Sequence, residues 1–421
     1  MDYEEVKNQL GSISESFCPL RWTYMQVDLE HGKIKACCKT PFQKIADEQI
    51  NQIGEKAIFN GAYFRERRRE MMEGIKNEDC SSCWTEEELG LLSYRYLLSG
   101  KEPFKSSIAA IQSNPLSSNY VPKHIEIINN TNCDLKCCYC GPEFSSSWRL
   151  EIKRNGVLPI FNQDLQLSQS TELFKKTFWE WFGNVKESIE YVQFNGGEPL
   201  LQKEFYDFLN QLLESESNLK VGIITNLNTP EVRLKQLQTL LPLLLEKHEF
   251  RFGISQDSVG SRAEYIRRGL NWSRFDANLR ALLRDFPQLE VQIAPTMSVL
   301  NVSSIKKLLV YLDELSNEYS ANIVLRPSIV ISPDFQSPLI LPSTFSRYLE
   351  EAIDFLEKKG RWSNMRDRLY EILTAIQKME NTDRLRRNFF SWFREIDRRH
   401  KKSFPDTFPE MKDFWKLCAS L

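Results

Sequence analysis

The stretch "HIEIINNTNCDLKCCYC", residues 124–140, joins a short β-rich run to four cysteines. Cys133, Cys137 and Cys140 have the spacing C-x3-C-x2-C, and Cys138 falls between two of them. A strand that runs straight into a cysteine loop puts the thiols at its C-terminal end, where parallel sheets gather ligands. Three soft thiolates on one loop suit an iron–sulfur cluster. A four-iron cluster held by three cysteines keeps one iron open. That open position separates a catalytic metal centre from a closed structural one. Zinc is the competing reading. It needs a fourth ligand, no histidine follows the loop closely, and Cys138 serves only with strained geometry.

Outward from this loop, five further β-rich runs recur: "IEYVQFN", "KVGIITN", "EFRFGIS", "EVQIAPTMS" and "NIVLRPS". Helical stretches separate them. The alternation predicts βα units and a parallel sheet over residues 119–335, an α/β partial or full barrel. The longest apolar stretch, "LQTLLPLLLEKHEF", is interrupted by Pro242 and by charge and is too short to span a bilayer. Residues 336–421 read as a helical region. Within it "RLRRNFFSWFREIDRRHKK" sets Leu385, Phe389, Trp392, Phe393 and Ile396 on one side, as an amphipathic helix with a solvated basic face.

Residues 1–118 hold a second cysteine set: Cys18, Cys37, Cys38, Cys80 and Cys83. "WTYMQVDL" and "IKACC" flank "EHGK", which predicts a hairpin with Gly32 at positive φ. "FRERRREMMEGI" predicts a charged helix, and the Ser- and Pro-rich "SGKEPFKSSIAAIQSNPLSSNYVP" reads as a linker. The expected division is therefore 1–118, 119–335 and 336–421.

Lys and Arg number 55 against 57 Asp and Glu, a net charge of −2, so no global field draws the chain to nucleic acid or membrane. "MDYEEVKNQL" lacks the basic-then-apolar order of a signal peptide, and a cytoplasmic location is expected. Ten cysteines in a reducing compartment point to metal or catalysis rather than disulfides. Cys418 reads as an ordinary thiol.

The loop at 133–140 resembles the signature of radical S-adenosylmethionine (radical SAM) enzymes. The resemblance implies a [4Fe–4S] cluster on Cys133, Cys137 and Cys140 whose open iron chelates SAM. It also implies reductive cleavage of SAM to a 5′-deoxyadenosyl radical that abstracts hydrogen from a substrate. Tyr139 fills the family's adenine-contacting aromatic position. "FNGGEPLL" gives Gly196, Gly197 and Glu198 the role of holding the SAM amino group. Thr225 and Asn226 match the polar end of the third strand, and Ser255 the ribose-binding serine. Arg267 matches the arginine that neutralises the SAM carboxylate, with Arg268 adjacent. "IAPTMSVLN" resembles the segment flanking the adenine.

The N-terminal set resembles the SPASM/Twitch auxiliary-cluster module in its shorter Twitch form, here preceding the barrel. That resemblance assigns an auxiliary [4Fe–4S] cluster to Cys18, Cys37, Cys80 and Cys83; a structural four-thiolate zinc site fits the same residues. Family members with such modules modify ribosomally made peptides. The implied substrate is a precursor peptide, with a separate peptide-recognition protein or the C-terminal helices reading it, and a flavodoxin- or ferredoxin-type electron donor. The alternatives are oxidation or rearrangement of a sugar or other small molecule, and a non-catalytic iron–sulfur protein. No catalytic side chain is assigned, and the sequence does not name the substrate.

Overall fold

The computed structural model describes residues 3–158, 171–214 and 219–421. Its centre is a nine-stranded sheet. The strands in chain order are β1 (Tyr24–Asp28), β2 (Lys33–Lys35), β3 (Gln43–Lys44), β4 (His124–Ile128), β5 (Lys136–Cys137), β6 (Tyr191–Asn195), β7 (Lys220–Thr225), β8 (Phe250–Ile254), β9 (Arg267–Arg268), β10 (Glu290–Ile293), β11 (Thr296–Met297), β12 (Ile323–Leu325) and β13 (Ser328–Ile329). The main sheet runs β12-β10-β8-β7-β6-β4-β1-β2-β3. Its six expected strands lie side by side in chain order and all pair in parallel. Parallel neighbours need crossovers, and amphipathic helices supply them. Lys203–Leu213 is one, burying Phe205, Phe208, Leu209 and Leu212 at helical spacing; Trp272–Asp285 and Ile305–Tyr319 are two more. This is an α/β fold with a mostly parallel sheet.

The N-terminal hairpin is not a separate layer. β1 and β2 pair antiparallel around Gly32, whose φ is +62°. β1 also pairs in parallel with β4, Tyr24 opposite His124 through Asp28 opposite Ile128. The hairpin thus extends the sheet beyond β4, and one apolar core runs from Met25 to Cys418. A smaller core, from Val6 to Ile111, surrounds the N-terminal cysteines.

One expectation is corrected. The segment read as a linker contains the helix Phe104–Ser113, which buries Phe104, Ile108 and Ile111. That i, i+4, i+7 spacing outweighs the flanking serines and prolines. Pro242 lies inside the helix Glu231–Lys247. Leu237, Leu241 and Leu244 are buried on one side of it and hold the turn in place. The charged helix forms at Ala62–Met72 and the amphipathic one at Asp383–His400, burying Phe389, Trp392, Phe393 and Ile396. Among the described residues no helix is long and apolar enough to cross a membrane.

Candidate metal and cofactor site

A cavity of about 900 Å³ opens where β4, β6, β7 and β8 end. Cys133, Cys137, Tyr139 and Cys140 line it, as do Gly196, Gly197, Thr225, Asn226, Ser255 and Arg267. The cysteine loop is folded by the serines that follow it. Ser145 Oγ donates to the Leu135 carbonyl at 2.6 Å and Ser147 Oγ to the Cys133 carbonyl at 2.8 Å. Ser145 also caps the helix Ser146–Asn155 by accepting from the Trp148 amide. Trp148 Nε1 in turn donates to the Cys137 carbonyl at 3.1 Å. Cys138 turns aside: its Sγ lies 3.4 Å from the Tyr265 carbonyl.

Arg267 reaches the loop through β5 and β9, a two-residue antiparallel ribbon in which Cys137 faces Arg267. Its Nη1 stands 3.7 Å from Cys137 Sγ, and its Nε 2.9 Å from Asp257 Oδ2. The same Asp257 oxygen accepts from Tyr139 Oη at 2.6 Å. Asp257 therefore fixes both the arginine and the aromatic ring. Arg268 points the other way, over the Tyr265 ring and 3.7 Å from Asp397, and does not line the cavity.

Glycine is required at the strand end after β6. Gly196 and Gly197 have φ of +71° and +53°. A Cβ would collide with the Ile128 side chain at Gly196 and with the Asn132 carbonyl at Gly197. The cavity wall here is bare backbone, as close approach to a ligand requires. Glu198 is placed behind that wall rather than on it. Its carboxylate accepts from Thr225 Oγ1 at 2.5 Å and from the amides of Asn226 and Leu200 at 2.6 and 3.1 Å. Burial pushes the Glu198 carboxyl up to about 7, while those three donors favour its charged form. Asn226 Nδ2 then donates to Asp134 on the cysteine loop at 3.0 Å, tying the third strand to the thiols.

The thiols are set up for a thiolate-binding metal group. Burial raises Cys133, Cys137 and Cys140, and a charged Cys137 raises its two neighbours further. A bound cationic centre relieves that crowding, because metal ligation takes the thiolate form. Among the described residues, no three His, Cys, Asp or Glu side chains are placed to hold a single metal ion. A four-iron cluster is wider than an ion and spaces its thiolates farther apart. The three-cysteine loop, bare glycine backbone and cavity-facing arginine fit such a cluster with SAM beside it.

The N-terminal set is enclosed. Cys18, Cys37, Cys80 and Cys83 line one pocket of about 20 Å³ with Arg21 and Arg95. Arg21 Nη2 stands 3.3 Å from Cys80 Sγ. Burial pushes Cys18 and Cys83 up to about 12, with Cys80 and Cys18 respectively adding to it. Cys37 faces this pocket, whereas Cys38 lines the 900 Å³ cavity.

Several groups escaped the sequence reading: Asp257, which holds Arg267 and Tyr139, and the lining residues Gln26 and Asn195, with Arg384, Asn388 and Trp392 from the C-terminal helix. The last three repeat every four residues, so they share one helical face. That signal was present, but nothing in the sequence says the face meets the cavity.

The Radical SAM superfamily model matches residues 128–312. Molybdenum cofactor biosynthesis protein 1 of Bos taurus is 29% identical over 176 residues, 41% of this chain and 24% of that protein. GTP 3′,8-cyclase of Campylobacter jejuni subsp. doylei is 25% identical over 103 residues, 24% of this chain and 27% of that protein. The chain thus spans about a quarter of the length of these curated relatives. The solved structure "Native anSMEcpe with bound AdoMet" aligns over 56% of this chain and 61% of that one, at 18% identity and a TM-score of 0.39. Residues 128–312, a little under half of the chain, are thus similar to the radical SAM superfamily, whose members use a [4Fe–4S] cluster and S-adenosylmethionine.

Proposed function

We propose that the protein is a radical SAM enzyme acting at the 900 Å³ cavity. One observation carries this reading: Cys133, Cys137, Cys140, the Gly196–Gly197 backbone and Arg267 all line that single cavity. A cluster and SAM bound there would supply a 5′-deoxyadenosyl radical for hydrogen abstraction. The chain's own residues do the positioning. Arg267, fixed by Asp257, offers its guanidinium fork to a carboxylate, the geometry that suits bidentate pairing. Tyr139, Ser255 and the glycine backbone flank the place where an adenosine would lie. Reconstituted protein with dithionite and SAM is expected to release 5′-deoxyadenosine; none above a cluster-free control refutes the reading.

The substrate we assign is a segment of a precursor peptide. The cavity, of about 900 Å³, is also lined by Arg384, Asn388 and Trp392 of the C-terminal helix, room enough for part of a larger molecule. The cytoplasm, a separate recognition protein and a flavodoxin- or ferredoxin-type donor complete this reading. A small-molecule substrate is the second reading, favoured by the relatives named GTP 3′,8-cyclase. Mass spectrometry of SAM turnovers run with GTP and with candidate peptides separates them. In the N-terminal pocket we assign an auxiliary [4Fe–4S] cluster to the four enclosed thiols, with zinc as the competing occupant.

A further inference from the structure

A second cavity, of about 290 Å³, lies on the same inner face of the sheet, toward the N-terminal ends of the strands. His124, Tyr191 and Lys220 open β4, β6 and β7, and all line it. A polar layer separates it from the SAM cavity. Glu126 faces the lower cavity, and Gln26 faces the upper one and donates to Glu126 at 2.7 Å.

The charges lining this lower cavity do not balance. Its three carboxylates are all engaged: Glu126 by Gln26 and Asn195, Glu190 by Lys123 at 3.5 Å, Glu102 by the Ser106 amide at 3.1 Å. Arg251 and Lys220 share Glu249, at 2.6 and 2.9 Å. Lys101 and Arg326 remain. Among the described residues neither side chain has a carboxylate or hydrogen-bond partner, and Arg326 Nε is buried and unsatisfied. Burial first, and Arg326 second, pull the Lys101 ammonium down to about 8. Two cations that repel one another across a cavity are costly unless an anion sits between them.

We propose that this cavity is an anion site, in which Lys101 and Arg326 bind a small oxyanion, phosphate or carboxylate. Arg326 offers a planar fork, and Lys101 a point charge on a flexible stem, a pairing suited to a tetrahedral or planar oxyanion. His124 Nε2, buried and 3.8 Å from Glu126 Oε1, adds a third polar atom at the wall. The anion comes from one of two sources. It is a free ion, or it is the charged end of a substrate whose reacting part lies in the cavity above. The site stands on these residues alone and holds whether or not the substrate is a peptide.

The test uses the reconstituted full chain and inorganic phosphate, titrated calorimetrically at constant ionic strength. Saturable binding is expected, weakened at least tenfold in Arg326→Met and in Lys101→Met. Lys203→Met, an exposed lysine paired with Asp207, is expected to behave as wild type. GTP then distinguishes the sources. Displacement of phosphate together with faster 5′-deoxyadenosine release marks the anion as part of a substrate; phosphate that GTP does not displace marks a free ion. Phosphate binding that is unsaturable, absent, or equal in Arg326→Met and wild type means an adventitious ion only and overturns the proposal.

Discussion

The two cysteine sets differ in what surrounds them. The loop after β4 borders an open cavity of about 900 Å³, while the N-terminal four close on a pocket of about 20 Å³. The loop brings three thiols and leaves the rest of its surroundings to glycine backbone, a tyrosine and an arginine. The N-terminal site brings four thiols and two arginines around a far smaller pocket. Openness is what a reacting centre needs, and enclosure is what a relay or a structural centre tolerates. The covalent link between the sites is a single peptide bond: Cys37 faces one and Cys38 the other.

The largest expected effect breaks the comparison on the open side. Replacing Cys133, Cys137 and Cys140 with Ala should abolish 5′-deoxyadenosine formation and remove about four of about eight irons per chain. Full activity, or zinc in place of iron, would sink the assignment. On the enclosed side, Cys37→Ala should lose a reduced-cluster paramagnetic signal that Cys38→Ala keeps. In a variant lacking the three loop cysteines that signal should not shift when SAM is added. A shift would show that the small pocket admits a ligand after all.

Arg267→Met should weaken SAM binding by roughly 1–3 kcal/mol, about 5- to 150-fold, by leaving a buried carboxylate unpaired. Arg268→Met should leave that affinity unchanged, because its side chain faces Asp397. Equal losses from both would mean the ribbon with β5 does not select between them. The smallest effect concerns Glu198. Its folded value, about 7, lies above its ordinary 4.5. The stability this group contributes is therefore full below pH 4.5 and is lost as pH rises toward 7. The slope is at most about 1.4 kcal/mol per pH unit. Glu198→Gln should flatten the denaturation midpoint between pH 4.5 and 7; an unaltered slope would contradict a buried, protonatable Glu198.

Much of the fold was legible because its signals are local. Each of the six β-rich runs became a strand of the parallel sheet, and Gly32 supplied the predicted positive-φ turn. C-x3-C-x2-C and the two adjacent glycines were readable as spacing. The linker reading failed because composition was weighed above the spacing of Phe104, Ile108 and Ile111, which was equally visible.

What the sequence by itself determined is which chemistry the chain carries: three thiols on one loop, glycines that only a bare-backbone contact explains, and an arginine within two positions. Only the tertiary structure decided which groups share a cavity. The choice of Arg267 over Arg268 follows from its antiparallel pairing with Cys137, which brings together residues 130 positions apart. The merging of the N-terminal hairpin with the main sheet follows from β1 pairing with β4, 100 residues on. Cavities and cross-strand partners depend on non-local pairing, and periodicity along the chain carries no information about which distant strand a segment will meet.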